Sequence, residues 1–375
     1  MLKTFHVQNY KALRDVTLEL TPIHVLIGPN DSGKTSLLEA LRAYSRITRM
    51  PGIGATSAEV FEGRWAGRQL VWRQTDSSVS FDAIGRWVGR TVRHVIAVRF
   101  QPTSRKAELA HNEVMPLDHG SPLDPANGPL SWLAETGGSV QFYRWIPSLL
   151  ALPVAFDFTT QFGMELSGFG LAMYLNDILT GDHEKFGELE RRFHDSFPSV
   201  RRIRLNREAG FQTAPPNFVA VIPAKGSGLG IYFEQANGDT LAAAQASDGM
   251  MLVLAYLAIL YSPQPPALLL IEEPENGVHP RRLQEVLRIL RELVSEQDRT
   301  QVVLTTHSPY VVDQFKPEEV TLCLKGPDGA VTTHRLSNSK SVREQMDIFQ
   351  LGEIWTAEGD EALAAPADAQ EAASP

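Results

Sequence analysis

The chain has 375 residues, of which 43% are hydrophobic and 21% charged, and its formal net charge is −9. This length accommodates one large domain, or one domain with a sizeable insertion. The acidic balance argues against a uniformly basic nucleic-acid binder, and the single cysteine, Cys323, excludes an internal disulfide. The N-terminus lacks the apolar core of a signal peptide, and the most apolar stretch, residues 250–261, is too short for a bilayer about 30 Å thick. We expect a cytoplasmic protein that does not enter the membrane.

The first predicted elements are a strand at residues 16–20, where apolar residues alternate, and a short buried strand at residues 25–27. A glycine-rich loop then leads into a helix over residues 35–45. Further strand-like runs occupy residues 69–73, 79–84 and 87–100. Turn residues separate these runs, so we expect an antiparallel side sheet.

The middle of the chain predicts a loop followed by helices. Residues 101–129 are rich in Pro, Asp, Asn and Gly, which is typical of a loop. Residues 130–150 and 171–197 are predicted to be mainly helical, with a polar link at Thr180-Gly181-Asp182 inside the second stretch. Short strands are then predicted at residues 202–205, 218–222 and 230–234.

The C-terminal part alternates helices with buried strands. We predict helices at residues 248–261 and 281–296, and strands at residues 268–271, 302–305, 320–325 and 330–335. The turn at residues 326–329 predicts a hairpin between the last two strands. Residues 357–375 contain no β-branched or aromatic residue, which favours disorder. The expected organisation is an N-terminal lobe (1–129), a mainly helical insertion (130–229), a C-terminal lobe (230–350) and a largely disordered tail (351–375).

Basic residues are unevenly distributed along the chain. Residues 42–106 carry twelve basic and four acidic side chains, and a second basic cluster consists of Arg201, Arg202, Arg204 and Arg207. Such asymmetry can mark an anionic partner, here DNA or RNA. The alternative is a set of solvated arginines paired with the acidic remainder of the chain.

The glycine-rich loop fits the phosphate-binding pattern G-x-x-x-x-G-K-[ST] and lies between a buried strand and a helix, as its mechanism requires. Glycines let successive backbone N–H groups point at phosphate oxygens, and the helix start adds roughly half a positive charge. We expect Lys34 to contact the β- and γ-phosphates and the Thr35 hydroxyl to ligate Mg²⁺. A chance glycine turn is the alternative. The predicted nucleotide-binding residues are Gly28, Asn30, Asp31, Ser32, Gly33, Lys34, Thr35 and Ser36.

Two acids end the apolar strand at residues 268–271. Ligands of parallel sheets bind at the carboxyl ends of the strands. We therefore expect Glu272 to hold Mg²⁺ and Glu273 to polarise the water that attacks the γ-phosphate. The alternative is a pair of solvated acids at the start of a loop.

A histidine follows the next buried strand, in the run Thr305-Thr306-His307-Ser308-Pro309. A lone histidine is more often structural than functional. The position of His307 at the end of a buried strand favours a role as a sensor that donates a hydrogen bond to the γ-phosphate.

Together these residues resemble the ABC-type ATPase superfamily, in particular its RecF/SMC/OLD-like branch, a group of AAA-family predicted ATPases. Residues 28–35 resemble the Walker A motif and residues 268–273 the Walker B motif. The run Thr306-His307-Ser308-Pro309 resembles the T-H-S-P switch. Residues 246–250 resemble the signature motif, with S-D-G in place of the S-G-G of transporters. Residues 273–280 resemble the E-P-E-x-G-[IL]-H-P run that includes the D-loop.

The resemblance implies an α/β P-loop NTPase fold, namely an ABC-type head with an antiparallel β side sheet and a helical insertion. It implies ATP and Mg²⁺ as cofactors and an ATP-dependent homodimer or higher oligomer, in which the signature of one chain faces the γ-phosphate on the other. Ser247 is also expected to cap the helix that follows it. We propose Gln101 as the counterpart of the metal-binding Q-loop glutamine. The predicted signature and D-loop residues are Ser247, Asp248, Gly249, Glu275, Asn276, Gly277 and His279.

The chain departs from parts of that branch. It has no heptad repeat for a long coiled-coil arm, and nothing after His307 resembles a TOPRIM nuclease. We therefore expect an ATP-gated, dimerising ATPase in DNA repair or anti-phage defence that controls a separately encoded effector. The alternatives are a regulatory scaffold that binds ATP with little turnover, and a transporter nucleotide-binding subunit.

Overall fold

The computed structural model describes residues 1–49, 61, 67–87, 90–101, 107–118, 140–156, 163–213, 221–296 and 300–366. These residues form two compact units. The first unit comprises Met1–Phe142, Pro266–Glu273 and Arg299–Pro375, and the second comprises Tyr143–Pro265 and Pro274–Asp298.

The strands and helices are numbered in chain order. The strands are β1 (Leu2–Tyr10), β2 (Leu13–Glu19), β3 (Ile23–Ile27), β4 (Val79–Trp87), β5 (Arg90–Phe100), β6 (Ala107–Pro116), β7 (Val140–Tyr143), β8 (Val154–Ala155), β9 (Val200–Thr213), β10 (Val221–Gln235), β11 (Thr240–Ala242), β12 (Leu268–Glu272), β13 (Gln301–Thr305), β14 (Val320–Lys325) and β15 (Val331–Arg335). The helices are α1 (Lys34–Arg49), α2 (Pro147–Leu150), α3 (Leu171–Gly181), α4 (His183–Ser196), α5 (Asp248–Leu260), α6 (Pro280–Glu296), α7 (Pro309–Val312), α8 (Lys340–Gln345) and α9 (Leu351–Ala364).

A six-stranded sheet forms the centre of the first unit, in the order β15-β14-β3-β13-β12-β7. The strands β14, β3, β13 and β12 run parallel to one another. Every residue of β3, β12 and β13 is buried. Their sequences are mostly apolar, as expected of parallel strands that are covered on both faces. The carboxyl ends of these strands therefore share one edge, where the predicted acids and His307 follow them.

The predicted side sheet is present in the first unit as five antiparallel strands in the order β2-β1-β4-β5-β6. Two parts of the prediction are wrong. Residues 69–73, predicted as a strand, lie in two 3₁₀ turns with Arg73 and Gln74 in the left-handed region, which a strand cannot contain. Residues 107–116, predicted as a loop, form the edge strand β6, because backbone pairing with β5 outweighs their polar composition.

The second unit contains a four-stranded sheet, in which the long strands β9 and β10 pair over most of their length. The helices predicted over residues 171–197 are present as α3 and α4. The helix predicted over residues 130–150 is wrong for the described part, where β7 and the short helix α2 occur, and residues 130–139 lie outside the described residues. The region 130–229 is therefore only partly helical.

The predicted tail over residues 351–375 is helical in its first part. Helix α9 packs through the buried side chains of Leu351, Ile354 and Leu363. The Gly352 N–H donates to Asp313 Oδ1 at 2.7 Å, and an added Cβ on Gly352 would lie 2.3 Å from the Pro309 carbonyl oxygen. The helix is interrupted at Gly359, which has a φ of 79°, and buried apolar side chains anchor the segment on both sides of this break. Residues 367–375 lie outside the described residues. Within the described part of the chain, no helix has the length and apolar character needed to cross a membrane.

Candidate nucleotide site

The phosphate loop joins β3 to α1 through backbone conformations that favour glycine. Gly28 has a φ of 132° and Gly33 a φ of 91°, and the exposed Asp31 between them has a φ of 63°. Both glycines also pack closely against other segments of the same chain. An added Cβ on Gly28 would lie 2.2 Å from the Cys323 carbonyl oxygen, and one on Gly33 would lie 2.5 Å from Val331 Cγ2. The two glycines of the predicted motif are therefore required by both conformation and space.

Lys34 is buried inside the loop. Its Nζ donates to the carbonyl oxygens of Gly28 and Pro29 at 2.9 and 2.8 Å, and to Ser32 Oγ at 3.4 Å. Burial lowers the pKa of the Lys34 ammonium, and the nearby Glu273 carboxylate opposes this shift. Within the described part of the chain, the hydrogen bonds of this cation are with neutral oxygens of its own loop, so it can exchange them for phosphate oxygens.

Two oxygen donors of the kind that Mg²⁺ prefers touch each other at the start of α1. The Thr35 hydroxyl donates to Glu272 Oε1, and Glu272 is buried at the end of β12. No cluster of three or more His, Cys, Asp or Glu side chains occurs among the described residues. The Thr35–Glu272 pair still fits Mg²⁺, because this ion is usually held by one or two protein oxygens together with phosphates and water. Thr35 and Glu272 are the residues that would hold it.

Glu273 and His307 lie side by side beyond the strand ends, with His307 Nε2 3.5 Å from Glu273 Oε1. Glu273 has a φ of 50°, so the chain leaves the strand direction at this residue. Its N–H donates to the Thr305 carbonyl oxygen at 3.0 Å and contacts Thr305 Oγ1 at 3.3 Å. The turn lets both neighbouring acids lie at one edge of the sheet, although consecutive strand residues face opposite ways.

The predicted signature residues lie in the second unit, at the start of α5. Ser247 is the N-cap of this helix, as predicted, and its Oγ accepts from the Met250 N–H at 3.3 Å. Asp248 and Gly249 form the first turn. The remainder of α5 is buried on all sides, from Met251 to Leu260. A helix with no polar face is held firmly, so its first turn is a fixed feature of the second unit.

The predicted D-loop residues lie beside the signature in the same unit. Gly277 has a φ of 78°, and an added Cβ there would lie 3.7 Å from Asp248 Oδ2. Glu275 is half-buried, whereas Asn276 and His279 are exposed. The His279 ring Nδ1 accepts from the Arg281 N–H at 3.3 Å at the start of α6.

Gln101 follows β5 in the side sheet, and its amide donates to Glu108 Oε1. Its predicted role at the metal stays a prediction. Several arginines of the first basic cluster are paired with acids, as the alternative interpretation of that cluster expected. The closest N–O distances are 2.6 Å for Arg68–Asp76, 2.6 Å for Arg93–Asp82 and 3.5 Å for Arg90–Asp118. Arg64, Arg105 and Lys106 lie outside the described residues.

Sequence reasoning missed Lys325, which ends β14. Its Nζ lies 2.6 Å from Asp31 Oδ2 in the phosphate loop. The two residues are 294 positions apart along the chain, so no local pattern could have paired them. Cys323 of the same strand supplies the carbonyl oxygen behind Gly28. Burial raises the pKa of the Cys323 thiol to about 12, which keeps it protonated and unreactive.

Two families match parts of the chain. Residues 165–313 match the family described as "AAA domain, putative AbiEii toxin, Type IV TA system", and residues 1–46 match the family described as "AAA ATPase domain". The chain is also 23% identical over 391 aligned residues to the OLD nuclease of Thermus scotoductus, across 94% of this chain and 68% of that protein. The matched segments contain the phosphate loop, the signature, both acids and His307.

The fold is similar to that of an SMC head solved in complex with the C-terminal winged-helix domain of ScpA. The TM-score is 0.54 at 13% identity, and the similarity covers 92% of this chain and 99% of that one. The chain therefore has a P-loop ABC-type ATPase fold, as the motifs predicted. The matched ATPase domains and the OLD relative support an OLD/SMC-like ATPase with ATP hydrolase activity, as predicted.

Proposed function

We propose that the chain is a magnesium-dependent ATPase that dimerises on ATP, with each nucleotide bound between the phosphate loop of one chain and the signature of another. The observation that carries this proposal is the set of contacts around Lys34. A buried cation, the Thr35–Glu272 oxygen pair and the Glu273–His307 pair surround one edge of a parallel sheet. Phosphoryl transfer to water requires a cation at the phosphates, a magnesium site and a base for the attacking water, and these groups can supply them.

In this proposal Lys34 exchanges its contacts with the Gly28 and Pro29 carbonyls for the β- and γ-phosphates of ATP. Glu273 accepts a proton from the attacking water as the bond between the γ-phosphorus and the bridging oxygen breaks. His307 donates a hydrogen bond to the γ-phosphate. Because His307 also contacts Glu273, the position of the base depends on whether the γ-phosphate is present. Mg²⁺ at Thr35 and Glu272 would neutralise phosphate charge.

The signature supports the shared site on chemical grounds. Ser247 caps a fixed helix whose first turn presents backbone N–H groups at its positive end. Such an end suits the γ-phosphate of a nucleotide held by a second chain. The Asp248 carboxylate beside Ser247 is then expected to reach solvent or the partner rather than the phosphate.

We place the biological role in nucleic-acid metabolism, either repair or antiviral defence, in the cytoplasm and through a separate effector. The likeness to a protein named OLD nuclease supports this class of role. The β9–β10 ribbon supports a nucleic-acid contact, because Arg202 and Arg207 on it are exposed and take part in no ion pair or hydrogen bond found among the described residues. Arg204, by contrast, is paired with Glu234 at 2.9 Å.

The test mixes two inactive variants. Ser247→Arg puts a long cation where the partner's γ-phosphate would bind. Lys34→Ala removes the buried cation of the phosphate loop. Neither variant alone should hydrolyse ATP. In a mixed dimer both lesions fall in one site and the other site is intact, so the mixture should recover up to about half of the normal rate per mixed dimer.

Ser295→Arg is the matched control, because Ser295 is an exposed serine of α6 in the same unit. It should hydrolyse ATP normally and associate normally in analytical ultracentrifugation with ATP. Normal hydrolysis by Ser247→Arg alone would refute a site shared between chains. A mixture as inactive as its components would refute it as well.

A further inference from the structure

An open cleft of about 690 Å³ lies between α4 and α6 of the second unit. This volume is in the range of small-molecule sites, roughly 300–1,000 Å³. Four arginines and two carboxylates line the cleft, namely Arg192, Arg281, Arg282, Arg288, Asp195 and Glu285. The lining therefore has an excess of positive charge in a chain whose net charge is negative.

One of these arginines is fixed from two sides. The guanidinium carbon of Arg282 lies 4.2 Å from the centre of the Phe197 ring, and its Nη1 donates to Glu285 Oε2 at 3.1 Å. Ser196 also donates to the Glu285 carboxylate. A planar guanidinium held in this way loses little conformational freedom when it binds a further oxygen ligand.

Arg192 is held similarly, by two contacts of 2.7 and 2.8 Å between its Nη2 and the carboxylate of Glu292. Arg288 is held loosely, at 3.9 Å from Glu285 and 4.0 Å from Glu292. Arg281 is exposed and makes no ion pair within the described residues. Arg192 and Arg282 are thus held in place, and Arg281 and Arg288 are the more exposed arginines of the cleft.

The spacing of the exposed arginines favours an extended ligand. Arg281 and Arg288 are seven residues apart on α6, which corresponds to about 10 Å at 1.5 Å per residue. At this separation the two guanidinium groups can each contact a different phosphate in a chain of phosphates. The first turn of α6 contains no acidic residue to offset Arg281 and Arg282. Cations at this end of a helix repel its dipole, and a bound anion relieves that repulsion.

We propose that this arginine cleft binds consecutive phosphate groups of a nucleic-acid backbone, with Arg281 and Arg288 as the direct contacts. The inference rests on the nucleic-acid role of the proposed function, and gives it a site separate from the β9–β10 ribbon. Guanidinium groups match phosphate oxygens in a bidentate geometry, and they do so without reading the bases. The binding should therefore be insensitive to sequence and sensitive to salt.

The experiment measures the anisotropy of fluorescein-labelled single-stranded and duplex DNA with the full chain and ATP, over a series of NaCl concentrations. Arg281→Ala/Arg288→Ala should weaken binding at least about tenfold and lower the slope of log K against log salt by about 2. Arg191→Ala is the control, because this exposed arginine neighbours Arg192 on α4 but does not line the cleft. Its slope should match that of the unchanged protein.

Folding is checked separately by thermal unfolding of each variant. If the alanine pair unfolds, Arg281→Lys/Arg288→Lys keeps both charges, so it should keep the salt slope while losing affinity through the lost bidentate contacts. A lysine pair with unchanged affinity would overturn the proposal. An equal loss in Arg191→Ala would overturn it too, since the effect would then be one of overall charge.

Two further arms separate the alternatives. Inorganic pyrophosphate that binds through Arg281, with no binding of either oligonucleotide, would overturn the assignment to nucleic acid in favour of a free polyphosphate. Loss of DNA binding in Arg202→Ala/Arg207→Ala but not in the cleft variant would overturn the cleft and leave the nucleic-acid role intact. ATP hydrolysis without DNA is measured on the unchanged chain, so a failed ATPase proposal is recognised independently.

Discussion

The phosphate loop and the signature segment are both predicted to bind the phosphates of ATP, yet they differ in their backbone. The loop contains Gly28, Asp31 and Gly33 in left-handed conformations, and a buried lysine already contacts its carbonyls. The signature segment is an ordinary helix start, with Ser247 in an extended conformation at φ −71° and a regular N-cap hydrogen bond. The phosphate loop, called the cradle below, is preformed from unusual backbone conformations, and the signature segment is an unstrained helix end.

This difference indicates how the two elements depend on their surroundings. A left-handed conformation costs of order 1–3 kcal/mol at a non-glycine residue such as Asp31 and persists only where the surrounding structure enforces it, whereas glycine adopts it readily. The cradle is therefore built within one chain. An unstrained helix end binds an anion only where something else holds that anion in place, which is what a second chain with its own cradle would do.

The largest expected effect tests whether the cradle is complete in one chain. Lys34→Ala removes the buried ammonium, and ATP affinity should fall at least about 100-fold, because up to three charge-assisted contacts of roughly 1.5–3 kcal/mol each are lost. Isothermal titration with ATP and Mg²⁺ measures the change. Lys316→Ala, an exposed lysine of the same unit, is the control and should bind normally. Unchanged ATP affinity in Lys34→Ala would show that this loop is not the phosphate-binding cradle.

The next effect separates binding from chemistry in the first unit. Glu273→Gln removes the expected base without changing the backbone, and kcat should fall about 100-fold or more while ATP affinity is retained. The ATP-bound dimer should accumulate and be visible by size-exclusion chromatography. Glu318→Gln, an exposed acid of the same unit, should hydrolyse ATP normally. If Glu273→Gln turns over normally, Glu272 becomes the candidate base.

Much of the cradle could be predicted because its residues are adjacent in sequence and their chemistry leaves few alternatives. The spacing of Gly28, Gly33 and Lys34 has one structural solution between a buried strand and a helix. Buried strands such as β3 and β12 are equally visible as apolar runs. The Asp31–Lys325 contact could not be predicted, because it depends on how β14 packs in the sheet and not on any local pattern.

The wrong predictions concern segments whose structure is decided by their neighbours. β6 is polar and became a strand only through pairing with β5. Helix α9 has a tail-like composition, and three apolar side chains anchor it. The turn at Arg73 and Gln74 has the apolar spacing of a strand but not its backbone. In each case tertiary contacts outweigh local preference.

A smaller effect tests whether the cradle is rigid. Gly28→Ala adds a Cβ 2.2 Å from the Cys323 carbonyl oxygen at a φ of 132°, whereas Gly226→Ala adds one at a φ of 138° with no atom of the described residues within 4 Å. The conformational cost is shared by both variants, so their difference reports the clash. Gly28→Ala should be less stable than Gly226→Ala by about 1–3 kcal/mol in urea unfolding. Equal stabilities would mean that the loop relaxes freely and is not a rigid cradle.

The smallest effect concerns the rim of the cradle, where Lys325 neutralises Asp31. Both side chains are accessible, at 35% and 85% exposure, so the pair itself should contribute under about 1 kcal/mol to stability. Its expected role lies in binding. Lys325→Ala leaves the Asp31 carboxylate unpaired beside the phosphates, and the repulsion should raise the Kd for ATP by about threefold at low salt.

The double variant Asp31→Asn/Lys325→Ala decides whether charge is the cause. Asparagine tolerates the left-handed backbone of residue 31 and removes the carboxylate, so it should restore the affinity that Lys325→Ala loses. The threefold effect should also fade at high salt, since exposed charges are screened. A double variant as weak as Lys325→Ala, or an effect that persists in salt, would mean that Lys325 contacts the nucleotide itself. The cradle would then include a residue of β14, so the first unit would contact the nucleotide through more than the phosphate loop.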